Sequence, residues 1–220
     1  MKTLKTLAAS VLLVSGMTVN SFADSSDFAG PYIGVSASAM GSAIDGKFTD
    51  GTSNARVNKG TAGAVGANAG FELGYNWAVS DMVFVSVNAE MNPFDADFKA
   101  DDAVDADDVT VSMSDMYSYS IEPSFSVTSS SAVYLKAGVS EFSLKASGTG
   151  LDATQTFDLQ GETFALGTKT ITDGGMYFKT EVGLTSYDGF TLVGVGTNDG
   201  TAVIADIETA YGKIMVGKKF

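Results

Sequence analysis

Strict alternation of apolar and polar residues is the main feature of this sequence, and residues 67–77 show it most clearly. One face of this segment carries only apolar side chains: Ala67, Ala69, Phe71, Leu73, Tyr75 and Trp77. The other face carries only polar side chains or glycine: Asn68, Gly70, Glu72, Gly74 and Asn76. A period of two is typical of a β-strand with two different faces, whereas a helix repeats about every 3.6 residues. The segment is therefore predicted to be a strand.

The same alternation predicts seven further strands along the chain. They cover Tyr32–Met40, Val83–Met91, Tyr117–Val127, Val133–Ser140, Phe164–Lys169, Met176–Thr185 and Lys213–Phe220. Pro123 interrupts the fourth of the eight strands, and proline has no backbone N–H for the ladder. Because Pro123 lies close to the turn at Thr128, we expect that strand to end near it.

The connections between these strands alternate between short and long. Short ones are predicted at Ala78–Asp81, Thr128–Ser131 and Thr172–Gly175, and long ones at about 41–62, 93–108, 145–160 and 187–200. Bacterial outer-membrane barrels have short turns on the periplasmic side and longer loops outside. With eight strands, both ends of the barrel chain fall on the short-turn side. The pattern therefore favours an up-and-down barrel.

Alternation alone does not say which face is outside, because a soluble barrel is apolar inside and a membrane barrel is apolar outside. Here the second face carries serine, asparagine, glycine or charge in almost every strand, which is too polar for a dry core. Aromatic residues also lie at strand ends, as in the interfacial girdles of membrane barrels: Trp77, Tyr117, Tyr119, Phe164 and Phe220. The predicted fold is all-β, an eight-stranded antiparallel transmembrane β-barrel.

The first 23 residues have the three parts of a secretory signal. Lys2 and Lys5 give a basic start, Leu7–Met17 is apolar, and Ser21-Phe22-Ala23 is a small-x-small ending. The apolar stretch is too short for a transmembrane helix, which needs about 20 residues. We expect cleavage after Ala23, with the barrel formed by residues 24–220 and located in the outer membrane.

Composition excludes several classes of function. The formal net charge is −13, so nucleic acid is not an expected partner, since phosphate contacts need a basic surface. The absence of cysteine excludes disulfides and thiolate metal sites. The absence of histidine removes the usual general base of barrel enzymes that cut lipids or peptides, so no catalytic residue and no cofactor is predicted.

The polar face of each predicted strand points into the barrel, and this places four acidic and four basic side chains in the interior. They are Glu72, Glu90, Glu122, Lys136, Lys169, Lys179, Glu181 and Lys213. An eight-stranded barrel is just wide enough to be filled by its own side chains, so each of these charges needs a partner. Balanced charge predicts a paired polar interior. The alternative is a gated ion or proton path through these pairs, although an open path more often has one sign of charge in excess.

An acidic segment lies in the second long connection. It contains Asp95, Asp97, Asp101, Asp102, Asp105, Asp107 and Asp108. Clustered carboxylates suit Ca²⁺ or Mg²⁺, but the ligand spacing of a calcium-binding loop is missing. A solvated acidic loop is the favoured interpretation, and weak divalent-cation binding is the alternative.

Three segments resemble a known family. They are Gly30-Pro31-Tyr32-Ile33-Gly34-Val35, Gly70-Phe71-Glu72-Leu73-Gly74-Tyr75-Asn76 and Gly217-Lys218-Lys219-Phe220. Together they are similar to the small outer-membrane β-barrels, which include the OmpA/OmpX-type domains and the opacity-like surface antigens. The resemblance implies that the terminal aromatic, Phe220, is read as an assembly signal by the outer-membrane insertion machinery.

The sequence therefore predicts a non-enzymatic outer-membrane barrel with a charge-paired interior and acidic external loops. Its expected role is in envelope structure or surface interaction, with outer-membrane lipid and lipopolysaccharide as its surroundings. Recognition would lie in the loops, since these vary on a rigid scaffold. The alternative function is a narrow pore for ions or small solutes.

Overall fold

The computed structural model describes residues 24–49, 57–94, 96–100, 109–148, 153–193 and 202–220. The predicted leader, residues 1–23, lies outside the described residues. So does most of the acidic segment, of which Asp97 alone falls in a described strand, without a described side chain. No helix within these ranges is long and apolar enough to cross a membrane.

Within the described residues, nine strand segments form one antiparallel sheet. They are β1 (Gly30–Thr49), β2 (Val57–Ser80), β3 (Val83–Asn92), β4 (Ala96–Ala100), β5 (Val109–Ser126), β6 (Ser131–Gly148), β7 (Gln155–Ile171), β8 (Met176–Val193) and β9 (Ala202–Lys219). Because β3 and β4 both pair with β5, they make a single barrel strand that is interrupted at Pro93.

The sheet closes on itself. Neighbours along the chain pair in order, β1 also pairs with β9, and the pairing of β3 with β5 completes the ring around the short β4. Ile33 on β1, for example, faces Leu73 on β2 and Lys218 on β9. The predicted eight-stranded, up-and-down antiparallel barrel is confirmed.

The polar and apolar faces have the orientation that the sequence predicted. On β2, Leu73 is 60% exposed whereas Glu72 beside it is 1% exposed, and the same contrast holds for Val182 and Glu181 on β8. In a soluble barrel the apolar residues would be the buried ones. In the part of the barrel nearer the short turns, the apolar side chains therefore cover the outside and the polar ones fill the inside.

Farther from the short turns this polarity reverses. On β6, Val139 is the last outward apolar residue; Glu141 then faces outward, while Phe142 and Leu144 face inward. Inward residues of five strands form the upper apolar cluster: Met113, Phe142, Leu144, Leu159, Tyr187, Phe190 and Ile207. The outside of the same section is polar, as in the exposed hydrogen bond from Ser143 to Asp158 at 2.7 Å. We call this part of the barrel the upper section.

The upper section corrects the predicted loop lengths. β1 continues to Thr49 and β2 begins at Val57, so much of the predicted connection 41–62 is strand, and the same holds for 145–160 and 187–200. The reversal explains the error, because the apolar residues change face and the pattern reads as the end of a strand. The short turns at the opposite end lie where predicted, except that β2 continues to Ser80 and shortens the first of them.

Pro123 does not end its strand, contrary to the prediction. β5 continues to Ser126, and Pro123 lies opposite Val85 on β3. The ladder to β6 has no pairs at Glu122 and Pro123 but resumes at Ser124 in the same register. The missing N–H thus interrupts the ladder locally without shifting it. The real irregularity of β5 is a register shift between Ser114 and Tyr117.

Candidate functional site

The eight predicted interior charges all lie inside the barrel. Seven of them are buried and Glu90 is half-buried. They come from seven strands, and β8 supplies both Lys179 and Glu181. The alternation brings each one to the inner face, and the closure of the sheet brings strands together that are distant in sequence.

Salt bridges join the eight residues into one connected set, which we call the ionic network. The bridges are Lys136–Glu181 at 3.2 Å, Lys213–Glu181 at 3.4 Å, Lys213–Glu72 at 3.4 Å, Lys213–Glu90 at 2.6 Å, Lys179–Glu72 at 2.5 Å, Lys179–Glu122 at 2.9 Å and Lys169–Glu122 at 2.8 Å. Positive and negative groups alternate along it. Lys213 lies at its branch point, and Lys136, Lys169 and Glu90 lie at its ends.

Interior tyrosines supply further hydrogen bonds to the carboxylates. Tyr134 and Tyr211 each donate to Glu181 at 2.7 Å, and Tyr32 donates to Glu72 at 2.9 Å. Buried carboxylates need such donors because a single ion pair leaves several lone pairs unsatisfied. The Glu72 and Glu181 carboxylates are thereby held in one orientation.

These tyrosines were not predicted from the sequence. Each faces a glycine directly across a ladder: Tyr32 faces Gly74, Tyr134 faces Gly167 and Tyr211 faces Gly183. A Cβ at any of the three glycines would come within 2.6 Å of the tyrosine ring. The signal in the sequence is an inward tyrosine with an inward glycine on the next strand, but it becomes visible only when the register is known.

The end of the network nearest the short turns is packed against aromatic rings. Lys169 Nζ lies 4.7 Å from the centroid of the Tyr134 ring and 5.1 Å from that of Phe84. A cation over a ring face gains electrostatic stabilisation, which is larger in a desolvated setting. Below Lys169 the interior becomes apolar. The lower apolar cluster consists of Phe28, Tyr32, Phe84, Ala132, Ile171, Tyr177 and Met215.

Part of this lower cluster comes from residues that precede the barrel. Residues Asp24–Ala29, the amino-terminal segment, contain a 3-10 helix at Ser25–Phe28. Asp24 caps it by accepting a hydrogen bond from the Ser26 N–H at 2.8 Å, and hydrogen bonds from Ser26 lower the pKa of the Asp24 carboxyl. Phe28 is fully buried and stacks on Phe84 with ring centroids 4.8 Å apart. The sequence pattern did not predict this contact.

A cavity of about 70 Å³ lies on the other side of the ionic network. Its walls include Lys136, Lys213 and Tyr211, together with the hydroxyls of Thr163 and Thr185 and residues of the upper section. Thr163 and Thr185 hydrogen-bond to each other at 2.9 Å. The interior is therefore layered: a lower apolar cluster, the ionic network, a polar cavity and the upper apolar cluster.

This arrangement can hold the barrel wall together from inside, because the ionic network links seven strands around the ring. Four carboxylates and four ammonium groups balance, so the network has no excess of one sign. Within the described ranges no group of acidic residues is arranged to hold a metal ion. The predicted divalent-cation segment lies outside them, apart from Asp97.

Comparison with known proteins gives the fold. No family model and no curated protein matches the chain. Among solved structures, it is similar to the outer membrane protein OprG from Pseudomonas aeruginosa, with 16% identity over 87% of this chain and 96% of that one and a TM-score of 0.55. The likeness confirms, at the level of fold, the resemblance to small outer-membrane barrels that the sequence implied.

Two further structures align over similar lengths but superpose less closely. Neisserial surface protein A (NspA) has 15% identity over 84% of this chain and 97% of that one, with a TM-score of 0.42. Ail, the attachment invasion locus protein of Yersinia pestis, has 14% identity over 82% and 98%, with a TM-score of 0.37.

Proposed function

We propose that this barrel, which shares the fold of the outer membrane protein OprG, resides in a bacterial outer membrane as a non-enzymatic protein of envelope structure or surface interaction. The observation that carries the proposal is the distribution of polarity along the barrel. A band of exposed apolar side chains surrounds a charged interior, and a section of opposite polarity stands above it. This is the distribution that a lipid layer on one section and water on the other would require.

The apolar band is long enough on β1 to cross a bilayer core and is shorter on β6. On β1 its outward residues run from Ile33 to Ala43, and on β6 from Val133 to Val139. A transmembrane strand needs about 9–11 residues when tilted. In water these exposed residues would form one continuous apolar surface, which soluble monomers rarely tolerate.

The interior supports a structural role rather than steady conduction. Each of the eight charges has a partner at salt-bridge distance, and apolar clusters lie on both sides of the ionic network. An ion that entered would have to break pairs that are already desolvated. A narrow pore, the second candidate, is tested in planar bilayers: a closed barrel gives no steady openings, whereas reproducible steps of conductance would favour the pore.

Three parts of the proposal concern regions or partners beyond the barrel wall. Residues 1–23 act as a cleaved export signal, Phe220 acts as the assembly signal for the insertion machinery, and lipopolysaccharide surrounds the upper half of the apolar band. A fourth part is that the connections between the long strands, including the acidic segment, make the contacts with other molecules. The sequence features described above support the export signal, the assembly signal and the acidic segment.

Cell fractionation combined with gel mobility tests the location. The mature protein should sediment with outer membranes, and the unheated protein should run at a different apparent mass from the boiled one, because a closed barrel resists detergent. Its amino terminus should begin at Asp24. A protein recovered in the soluble periplasmic fraction, without a heat-dependent shift, would overturn the proposal.

A further inference from the structure

We infer that the amino-terminal segment, Asp24–Ala29, is a removable stopper that separates the ionic network from water at the short-turn end of the barrel. Within this segment, the Phe28 side chain closes the interior against water. The inference concerns a conformational device of the barrel itself, and it stands whether or not the barrel conducts.

The segment is attached by few contacts compared with a strand. Ser25 N–H donates to the Asp81 carbonyl at 2.7 Å and its hydroxyl donates to the Ser80 carbonyl, so one end is held at the β2–β3 turn. Asn76 Nδ2 donates to the Phe28 carbonyl at 2.8 Å, and Lys219 Nζ donates to the Asp27 carbonyl at 2.7 Å. No ladder hydrogen bonds tie it into the sheet.

The Phe28 ring occupies the position that closes this end. It lies on Phe84 in a near-parallel stack, at an interplanar angle of 10°, and Phe84 in turn contacts the ammonium of Lys169. Phe28 is thus two side chains away from the first charge of the ionic network. The other members of the lower apolar cluster are side chains of the barrel wall.

Behind the Phe28 and Phe84 rings, part of the lining is polar. The Asn76 side chain accepts a hydrogen bond from Ser86 at 2.6 Å, and Lys169 donates to both Ser86 and Ser124. Lys169 pairs with Glu122, and the network continues from there to the cavity. Water that passes Phe28 would therefore meet hydrogen-bonding groups on the way to Lys169.

Water could enter either by separation of the paired charges or by displacement of the amino-terminal segment, and the two routes differ in free energy. Opening the network requires the separation of buried charges, which leaves each charge unpaired in a low-dielectric interior. Displacing the segment requires only the exposure of one aromatic ring and the exchange of four hydrogen bonds for hydrogen bonds with water. The segment is consequently the part of the interior that gives way first.

Engineered cysteines can report this displacement, because the chain has no cysteine of its own. Ser126 is fully buried at the short-turn end, where its N–H donates to the Met82 carbonyl at 2.8 Å. Its hydroxyl has no hydrogen-bond partner in the described part of the chain, so Ser126→Cys disturbs little. Ser86→Cys reports one layer deeper, beside Lys169. Each is placed in the refolded barrel and exposed to a small charged thiosulfonate reagent in detergent.

With Phe28→Ala in the same chain, both cysteines should be modified at least tenfold faster than with Phe28 present. Asp27→Asn is the matched control in the same segment, since its carbonyl and the Phe28 ring remain, and it should leave both rates unchanged. Heat-dependent gel mobility verifies that every variant is still a closed barrel. The deletion of Asp24–Ala29 should act like Phe28→Ala.

A third reporter cysteine distinguishes entry of the reagent at the short-turn end from entry at the opposite end of the barrel. Ser38→Cys lines the cavity beyond the network, and its rate should not follow the Phe28 substitution. Equal rates at Ser126→Cys with and without Phe28 would overturn the inference, and so would fast labelling of Ser86→Cys in the intact barrel. Neither result would affect the proposed location, which fractionation tests independently.

Discussion

Tyr32 lies across Gly74 on the neighbouring strand, and the tyrosine ring fills the space that a side chain at Gly74 would need. A Cβ at Gly74 would meet two ring carbons and the hydroxyl oxygen of Tyr32 at 2.6–2.7 Å. The glycine thus lets the ring lean over β2, which directs its hydroxyl to Glu72. Glycine here provides room for a ring, not backbone freedom.

Gly74→Ala should therefore lower stability by about 1–3 kcal/mol, the usual cost of overpacking, measured as a shift of the urea unfolding midpoint in detergent. Gly212→Ala is the control, because a Cβ there would meet nothing within 4 Å. In the Tyr32→Leu background the cost of Gly74→Ala should shrink. An equal cost in both backgrounds would show that the ring is not the cause.

Lys179 bridges two carboxylates, Glu72 and Glu122, in the middle of the ionic network. Lys179→Met should destabilise the barrel by about 3–5 kcal/mol, because it leaves an uncompensated buried negative charge. Adding Glu72→Gln restores the charge balance and should recover much of the loss. Urea unfolding of the single and double variants measures this.

The control for that comparison is Lys145→Met, which removes an exposed lysine on the outside of the upper section. It should change stability by no more than about 0.5 kcal/mol. If Lys179→Met were as mild as Lys145→Met, the bridges seen in the interior would contribute nothing to stability.

Two outward positions on β6 should respond differently to the same substitution. Leu135 lies in the apolar band and Ser143 in the upper section, both on the outer face. Leu135→Lys should cost about 2–4 kcal/mol in a bilayer, the range for lysine near the midplane. Ser143→Lys should cost little, since it faces Asp158 across the ladder. Refolding into lipid vesicles, followed by urea titration, gives both values.

Phe220 allows assembly to be separated from folding. Its N–H donates to the Pro31 carbonyl at 2.9 Å, while its side chain is exposed. Phe220→Ala keeps the hydrogen bond, so refolding in detergent should be nearly unchanged, whereas the amount of barrel assembled in cells should fall. Quantitative blotting of outer-membrane fractions tests this; unchanged amounts would remove Phe220 from the assembly role.

The sequence predicted the features that depend on one strand at a time. The period of two predicted each strand in the apolar band and the inward direction of residues such as Glu72 and Lys179. The upper section was missed because the alternation changes phase between Val139 and Phe142, and a pattern that changes phase looks like a strand that ends. A search for alternation in either phase would have found it.

Features that depend on several strands could not be predicted. The pairing of Lys179 with Glu122 joins residues 57 positions apart, and it depends on which strands face each other across the closed barrel. The amino-terminal segment has no periodicity at all, and Phe28 stands alone among polar and small residues. Its burial follows from the shape of the space left at the short-turn end.

The central claim is that lipid contacts the outer face up to Val139 and water contacts it from Glu141 onward. Spin labels placed singly at the odd positions 133–147 of β6, in vesicles, test this through their relative collision rates with oxygen and with a water-soluble nickel complex. Positions 133–139 should favour oxygen, and positions 141–147 should favour the nickel complex. Preference for the nickel complex at positions 133–139 would contradict the account.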